Sequence, residues 1–153
     1  MPTKIIVIFL LLIHGVSGMA QLKKIGAVKI SDAPRIDGSL DEAVWQMATP
    51  ATEFVTTSPV YGKPASDRTE VRVLYDNTSL YIGAYLYGDP ALIRRQFTPR
   101  DQERQGDVDH FAVFIDSYKD KQNAYQFLVT SRNVQSDARV SPNITPASGI
   151  YGD

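Results

Sequence analysis

The sequence predicts an all-β fold, an antiparallel β-sandwich with one short helix, and three observations carry that prediction. β-rich runs recur along the chain at residues 71–75, 80–87, 108–116, 124–130 and 134–140. Polar turn residues separate them, as in Asp76-Asn77-Thr78-Ser79 and Ser131-Arg132-Asn133. A single segment, residues 41–47, carries helix-start signals. Several short strands punctuated by turns, with one small helix, argue for a sandwich.

Residues 1–20 stand apart from the fold. Lys4 gives a positive start, IIVIFLLLI follows as an unbroken apolar run, and Gly18-Met19-Ala20 places small residues where a signal peptidase reads. The run is shorter than the roughly 20 apolar residues that cross a bilayer. The expectation is a cleaved signal peptide and a mature chain beginning at Gln21. The protein is then exported: periplasmic, outer-membrane-associated or extracellular. The chain has no cysteine, so neither a lipid anchor nor a disulfide is available, and the core or bound ions must hold the domain. What remains after Ala20 is a normal length for one domain. Its formal charge is slightly negative and no basic patch stands out, which argues against a nucleic-acid partner.

The elements follow in order. Residues 27–30 read as a short strand that Ala33-Pro34 closes. In RIDGSLDEAVW, Asp37-Gly38 is a turn, Ser39 can cap a helix over 41–47 with Glu42 three residues later, and Pro50 ends it. Trp45, the chain's one tryptophan, sits at the end of that helix beside Ala43, Val44 and Met47. It is expected to pack the helix onto a sheet rather than to grip a ligand. Residues 57–67, with two prolines and a glycine, read as a loop. Residues 71–75 and 80–87 form a hairpin about residues 76–79. Asp89-Pro90 breaks it, and 91–97 can make one helical turn or two. Residues 108–116 and 124–130 form a second hairpin across 117–123, and 134–140 add a strand. That makes about six strands, while SPNITPASGIYGD offers no apolar strand to close a second sheet. The expectation is a sandwich incomplete at its C-terminus, the front part of a longer protein.

On a strand, alternate residues share a face. Tyr81, Tyr85 and Tyr87 therefore line up with Gly83 among them, and Leu80, Ile82, Ala84 and Leu86 take the other side, expected to face the core. The tyrosines could form a platform for a sugar ring; that they are simply good strand residues is the preferred alternative. Asp107 and Asp109, with Asp116 and Asp120 flanking the next turn, could offer oxygen ligands to a structural Ca²⁺. Solvated strand-end aspartates are the preferred alternative there. Asp107 and Asp109 make a poor catalytic pair, because glycosidase carboxylates face each other across a cleft at about 5–10 Å. There is no Gly-x-Ser-x-Gly elbow, and His110 alternates with apolar strand neighbours. This segment is expected not to be an enzyme.

In sequence order, RIDGSLDEAVW, PVYGKPASDRTEVRVLYDNTSLYIGAYLYGDP, Arg100-Asp101 and DHFAVFIDSYKDKQNAYQFLVTSRNVQSDA together resemble the family 9 carbohydrate-binding modules. The likeness is closer to the family-9-like domain at the N-terminus of large envelope proteins of Bacteroidetes-type bacteria. The resemblance implies a β-sandwich outside the cytoplasm that binds an oligo- or polysaccharide between aromatic side chains, often beside a glycoside hydrolase. In the envelope branch it also implies a covalent continuation into an outer-membrane β-barrel-like region. Arg100 and Asp101 then either pair across their loop, the preferred reading, or hydrogen-bond a glycan. Three functions stay open: a non-catalytic module linked to polysaccharide binding or breakdown, a structural periplasmic domain that has lost its sugar site, and a hydrolase fragment with catalytic residues past Asp153.

Overall fold

The computed structural model describes residues 23–102 and 106–142. The expected signal peptide and nearly all of SPNITPASGIYGD lie outside these residues. Six strands make up the described fold: β1 (Ala27–Lys29), β2 (Thr69–Tyr75), β3 (Leu80–Leu86), β4 (His110–Ile115), β5 (Ala124–Thr130) and β6 (Gln135–Val140). They form two three-stranded sheets, β1-β2-β3 and β4-β5-β6. The only helical pieces among the described residues are two short 3₁₀ segments. The all-β expectation holds. The chain divides into two compact units, Met1–Leu86 and Tyr87–Asp153, with one sheet in each.

In the first unit, the β2–β3 hairpin closes on Asp76. One carboxylate oxygen accepts the backbone N–H groups of Thr78 (2.7 Å) and Ser79 (2.8 Å), and the other accepts the Tyr81 hydroxyl at 2.7 Å. Such an Asx turn fixes the register, with Tyr75 opposite Leu80 and Thr69 opposite Leu86. One pairing departs from the antiparallel expectation: β1 runs parallel to β2, with Val28 beside Leu74. The long stretch between Lys29 and Thr69 supplies the crossover that parallel strands need.

That stretch also corrects the helix. It is a single 3₁₀ segment, Ala43–Met47, with no side-chain cap. The Ser39 N–H donates to Asp37 Oδ1 at 2.9 Å in a turn where Gly38 adopts φ +84°. Glu42 instead accepts the backbone and guanidinium N–H groups of Arg35, both at 3.2 Å. Both members of the expected capping box are thus engaged elsewhere, which leaves only one short turn.

Trp45 does seal a core. It is 2 % exposed and packs with Ile30, Ala48 and Leu74, flanked by Val28, Leu40, Val44 and Tyr81. It does so on the side of β3 that was expected to be open. A Cβ at Gly83 would stand 2.8 Å from Trp45 Cζ3 and 2.7 Å from Leu40 Cδ2. The Tyr81–Gly83 side therefore carries the core, whereas Leu80 and Leu86 on the other side are exposed. Alternation separates the two faces of a strand but does not say which one is covered. Here the indole needs a slot, and only glycine provides it. On the same face, the buried Glu70 carboxylate lies between Arg68 and Arg72, with Arg72 Nη1 at 3.1 Å.

In the second unit, Asp89 caps one 3₁₀ turn, Pro90–Leu92, by accepting the Ala91 N–H at 2.9 Å. The chain then extends, and Arg95 pairs with Val108. The loop between β4 and β5 is shaped by two carboxylates. Asp116 accepts the N–H groups of Asp120 (3.2 Å) and Lys121 (2.8 Å). Asp120 accepts those of Gln122 and Asn123, both at 2.8 Å, and the Asn123 side-chain amide at 2.7 Å. Lys119 and Lys121 take positive φ there, 55° and 59°. The β5–β6 turn closes on Thr130 Oγ1, which accepts the Val134 N–H at 3.1 Å, with Asn133 at φ 59°. One face of this sheet buries Gln126, Leu128, Thr130, Ser136 and Ala138. The other carries Phe111, Val113, Ile115, Tyr125, Phe127 and Val129.

Candidate functional site

The residues singled out in the sequence fall in different settings. Tyr81 is structural: it is half-buried against the Trp45 core, and its hydroxyl is bound to Asp76. That bond, first among several, holds the Asp76 carboxyl down at about 2 and raises the Tyr81 phenol above its usual value. Gly83 is covered, so no bare platform runs along β3 from Tyr81 to Tyr85. Tyr85 and Tyr87 are exposed, Tyr85 near the end of β3 and Tyr87 just past it.

Arg100 and Asp101 do come together. Arg100 Nε lies 3.5 Å from Asp101 and its Nη2 also reaches Asp137 on β6. Asp101, at φ 61°, accepts the Ser136 hydroxyl at 2.8 Å. The pair fastens its loop to β6, the ion-pair role expected of it.

The four aspartates do not make one site. Asp107 and Asp109 precede β4 and Asp116 and Asp120 follow it, and a strand rises about 3.3 Å per residue, so the pairs are some 20 Å apart. Arg94 fills the first pair, with Nη1 at 3.2 Å from Asp107 and Nη2 at 2.6 Å from Asp109. The Arg94 backbone N–H, above all, lowers the Asp109 carboxyl. In the second pair the carboxylates already accept backbone N–H groups, and the Asn123 amide most strongly lowers Asp120. Among the described residues no group of three or more acidic, histidine or cysteine side chains is placed to hold a metal. His110 is the exposed first residue of β4.

A different constellation does converge. At the end of the β4–β5 hairpin, Tyr118, Asn123, Ala124, Tyr125 and Arg139 line a concavity of about 290 Å³. Each side chain is placed by a local cause. The Asp116 and Asp120 turns hold the loop that carries Tyr118 and Asn123. The β5–β6 register sets Tyr125 directly opposite Arg139. Both tyrosines are exposed, Tyr118 at 74 % and Tyr125 at 40 %. No lining residue is acidic, and the loop's own charges, Asp116, Lys119, Asp120 and Lys121, balance. Two aromatic side chains, an amide and a guanidinium line a mainly polar groove with directed donors. The sequence reading missed this groove because Arg139 meets Tyr125 only through the strand register. The signal available was the tyrosine at each end of YKDKQNAY, Tyr118 and Tyr125, either side of a polar loop.

No curated protein and no solved structure matches this chain. The family profile described as "Carbohydrate family 9 binding domain-like" matches residues 36–149, which takes in β2 to β6 and the whole groove. With two sheets of short strands beneath that match, the chain belongs to the carbohydrate family 9 binding domain-like family.

Proposed function

We propose that this domain is a non-catalytic carbohydrate-binding module of an exported protein, and that it holds sugar in the groove of Tyr118, Asn123, Tyr125 and Arg139. The convergence of two exposed tyrosines with an amide and a guanidinium on one concavity carries the reading. A pyranose presents C–H faces that rest on aromatic rings and a rim of hydroxyls that need donors and acceptors. At about 290 Å³ the groove stands at the low end of small-molecule sites, roughly 300–1,000 Å³, which suits one or two sugar rings. Hydrolysis needs two carboxylates across the bond, and none lines the groove. Export rests on the leader-like residues 1–20. A link to polysaccharide breakdown and a continuation into an outer-membrane barrel rest on the resemblance of the motifs alone.

Calorimetric titration with oligosaccharides tests this. Tyr118→Ala and Tyr125→Ala should each weaken binding by about 1–2 kcal/mol, the loss of a modest hot spot. Tyr85→Ala and Tyr87→Ala should leave it unchanged. The reverse pattern would place the sugar at the end of β3, and no binding by the folded domain across a broad panel would favour a structural role.

A further inference from the structure

We infer that the groove selects sugars bearing a carboxylate, uronic acids in a polysaccharide chain, over neutral ones; this rests on the groove being the sugar site. The described arginines are mostly committed. Arg35 holds Glu42 and Asp37, Arg68 and Arg72 share Glu70, Arg94 holds Asp107 and Asp109, and Arg100 holds Asp101 and Asp137. The Arg139 side chain lines the groove and makes no hydrogen bond or ion pair to another described residue. Its neighbour two positions back along β6, Asp137, would be the natural partner, but Arg100 has taken it. Asp120, the loop carboxylate bonded to the lining residue Asn123, spends both oxygens on Gln122 and Asn123.

The groove therefore offers a guanidinium with all its donors available, beside two rings and an amide. A guanidinium matches a planar carboxylate with two parallel N–H···O bonds, stronger than bonds to neutral hydroxyls. A neutral sugar can rest on Tyr118 and Tyr125 but leaves that charge-assisted pair unmade. The tyrosines and Asn123 supply affinity for the ring, and Arg139 supplies the choice among rings.

The test compares oligogalacturonate and glucuronate-bearing xylo-oligosaccharides with neutral galacto- and xylo-oligosaccharides of equal length, on the full chain. Acidic ligands should bind about 10–100-fold more tightly, as expected for a charge-assisted hydrogen-bonded pair. Arg139→Gln should erase that preference, bringing acidic ligands down to the affinity of neutral ones, while the melting temperature stays the same. Added salt should weaken the acidic ligands alone. Equal binding of acidic and neutral ligands, insensitive to Arg139→Gln, would overturn the inference and leave the sugar-binding reading standing. Sulfated oligosaccharides matching the uronates would overturn the choice of carboxylate. Failure of every ligand to bind the folded chain would overturn both readings.

Discussion

Adding one methyl group at Gly83 should destabilise the domain, against the ordinary preference of strands. Alanine in a strand is favoured over glycine by roughly 0.5–1 kcal/mol. At this position, however, the new Cβ would meet Leu40 Cδ2 at 2.7 Å and Trp45 at 2.8 and 3.1 Å. Comfortable carbon contacts are about 3.5–4.0 Å, so the overlap approaches 1 Å. The Leu40 methyl ends a flexible side chain and can give way. The Trp45 ring, 2 % exposed among Ile30, Ala48 and Leu74, cannot. Overpacking of this kind costs about 1–3 kcal/mol, which leaves a net loss of about 0.5–2 kcal/mol after the strand preference. In a Trp45→Leu background the obstacle is gone, and the same methyl should be neutral or stabilising. The coupling between the two sites should then be about 1–3 kcal/mol. Urea unfolding followed by far-UV circular dichroism measures all four proteins without relying on the lost indole. Equal stability of Gly83→Ala and the parent, or the same penalty in both backgrounds, would refute the placement of Trp45 over β3.

Three further outcomes are expected. Because Asp76 is held at about 2 in the fold, below the ordinary carboxylate value near 4, its contribution to stability is complete above pH 4. It is lost as the pH falls from 4 through about 2. Tyr81→Phe should raise that carboxyl, as read by its carbon chemical shift in an NMR titration; an unchanged midpoint would mean the hydroxyl bond is not formed in solution. Glu70→Ala should cost about 3 kcal/mol, since it strands the mostly buried Arg72, whereas removing the exposed Arg68 side chain should cost under about 1 kcal/mol. Equal losses in thermal or urea unfolding would contradict that asymmetry. Intact mass of protein exported from its host should begin at Gln21, and retention of Met1 would exclude the leader.

Much of this fold was legible because its turns are written in local chemistry. Asp76 marks the first hairpin, Asp116 and Asp120 shape the second, and Ser131-Arg132-Asn133 closes the third. Trp45 was placed in a core from its helical neighbours alone. What could not be read depends on contacts between residues far apart in sequence. Nothing local says that β1 lies parallel to β2, or that Arg35 reaches Glu42 and leaves the helix uncapped. The same holds for β3: its period of two was correct, but only the position of Trp45 decides which face is covered. The groove at the β4–β5 loop was hidden for a related reason. Tyr81, Gly83 and Tyr85 are neighbours on one strand and catch the eye together. Tyr125 and Arg139 meet only when the β5–β6 turn sets the register. Chemistry assembled across strands is invisible until those strands are paired.

Amide chemical shifts, followed by ¹H–¹⁵N NMR as an oligogalacturonate is titrated into the labelled chain, test the central claim most directly. If the groove holds sugar, saturable shifts should concentrate at Tyr118, Asn123, Ala124, Tyr125 and Arg139, with the Arg139 side-chain N–H among the largest. The amides around Gly83 and Trp45 should stay in place. Saturable shifts confined to Tyr85 and Tyr87, or no shift anywhere at millimolar ligand, would contradict the account.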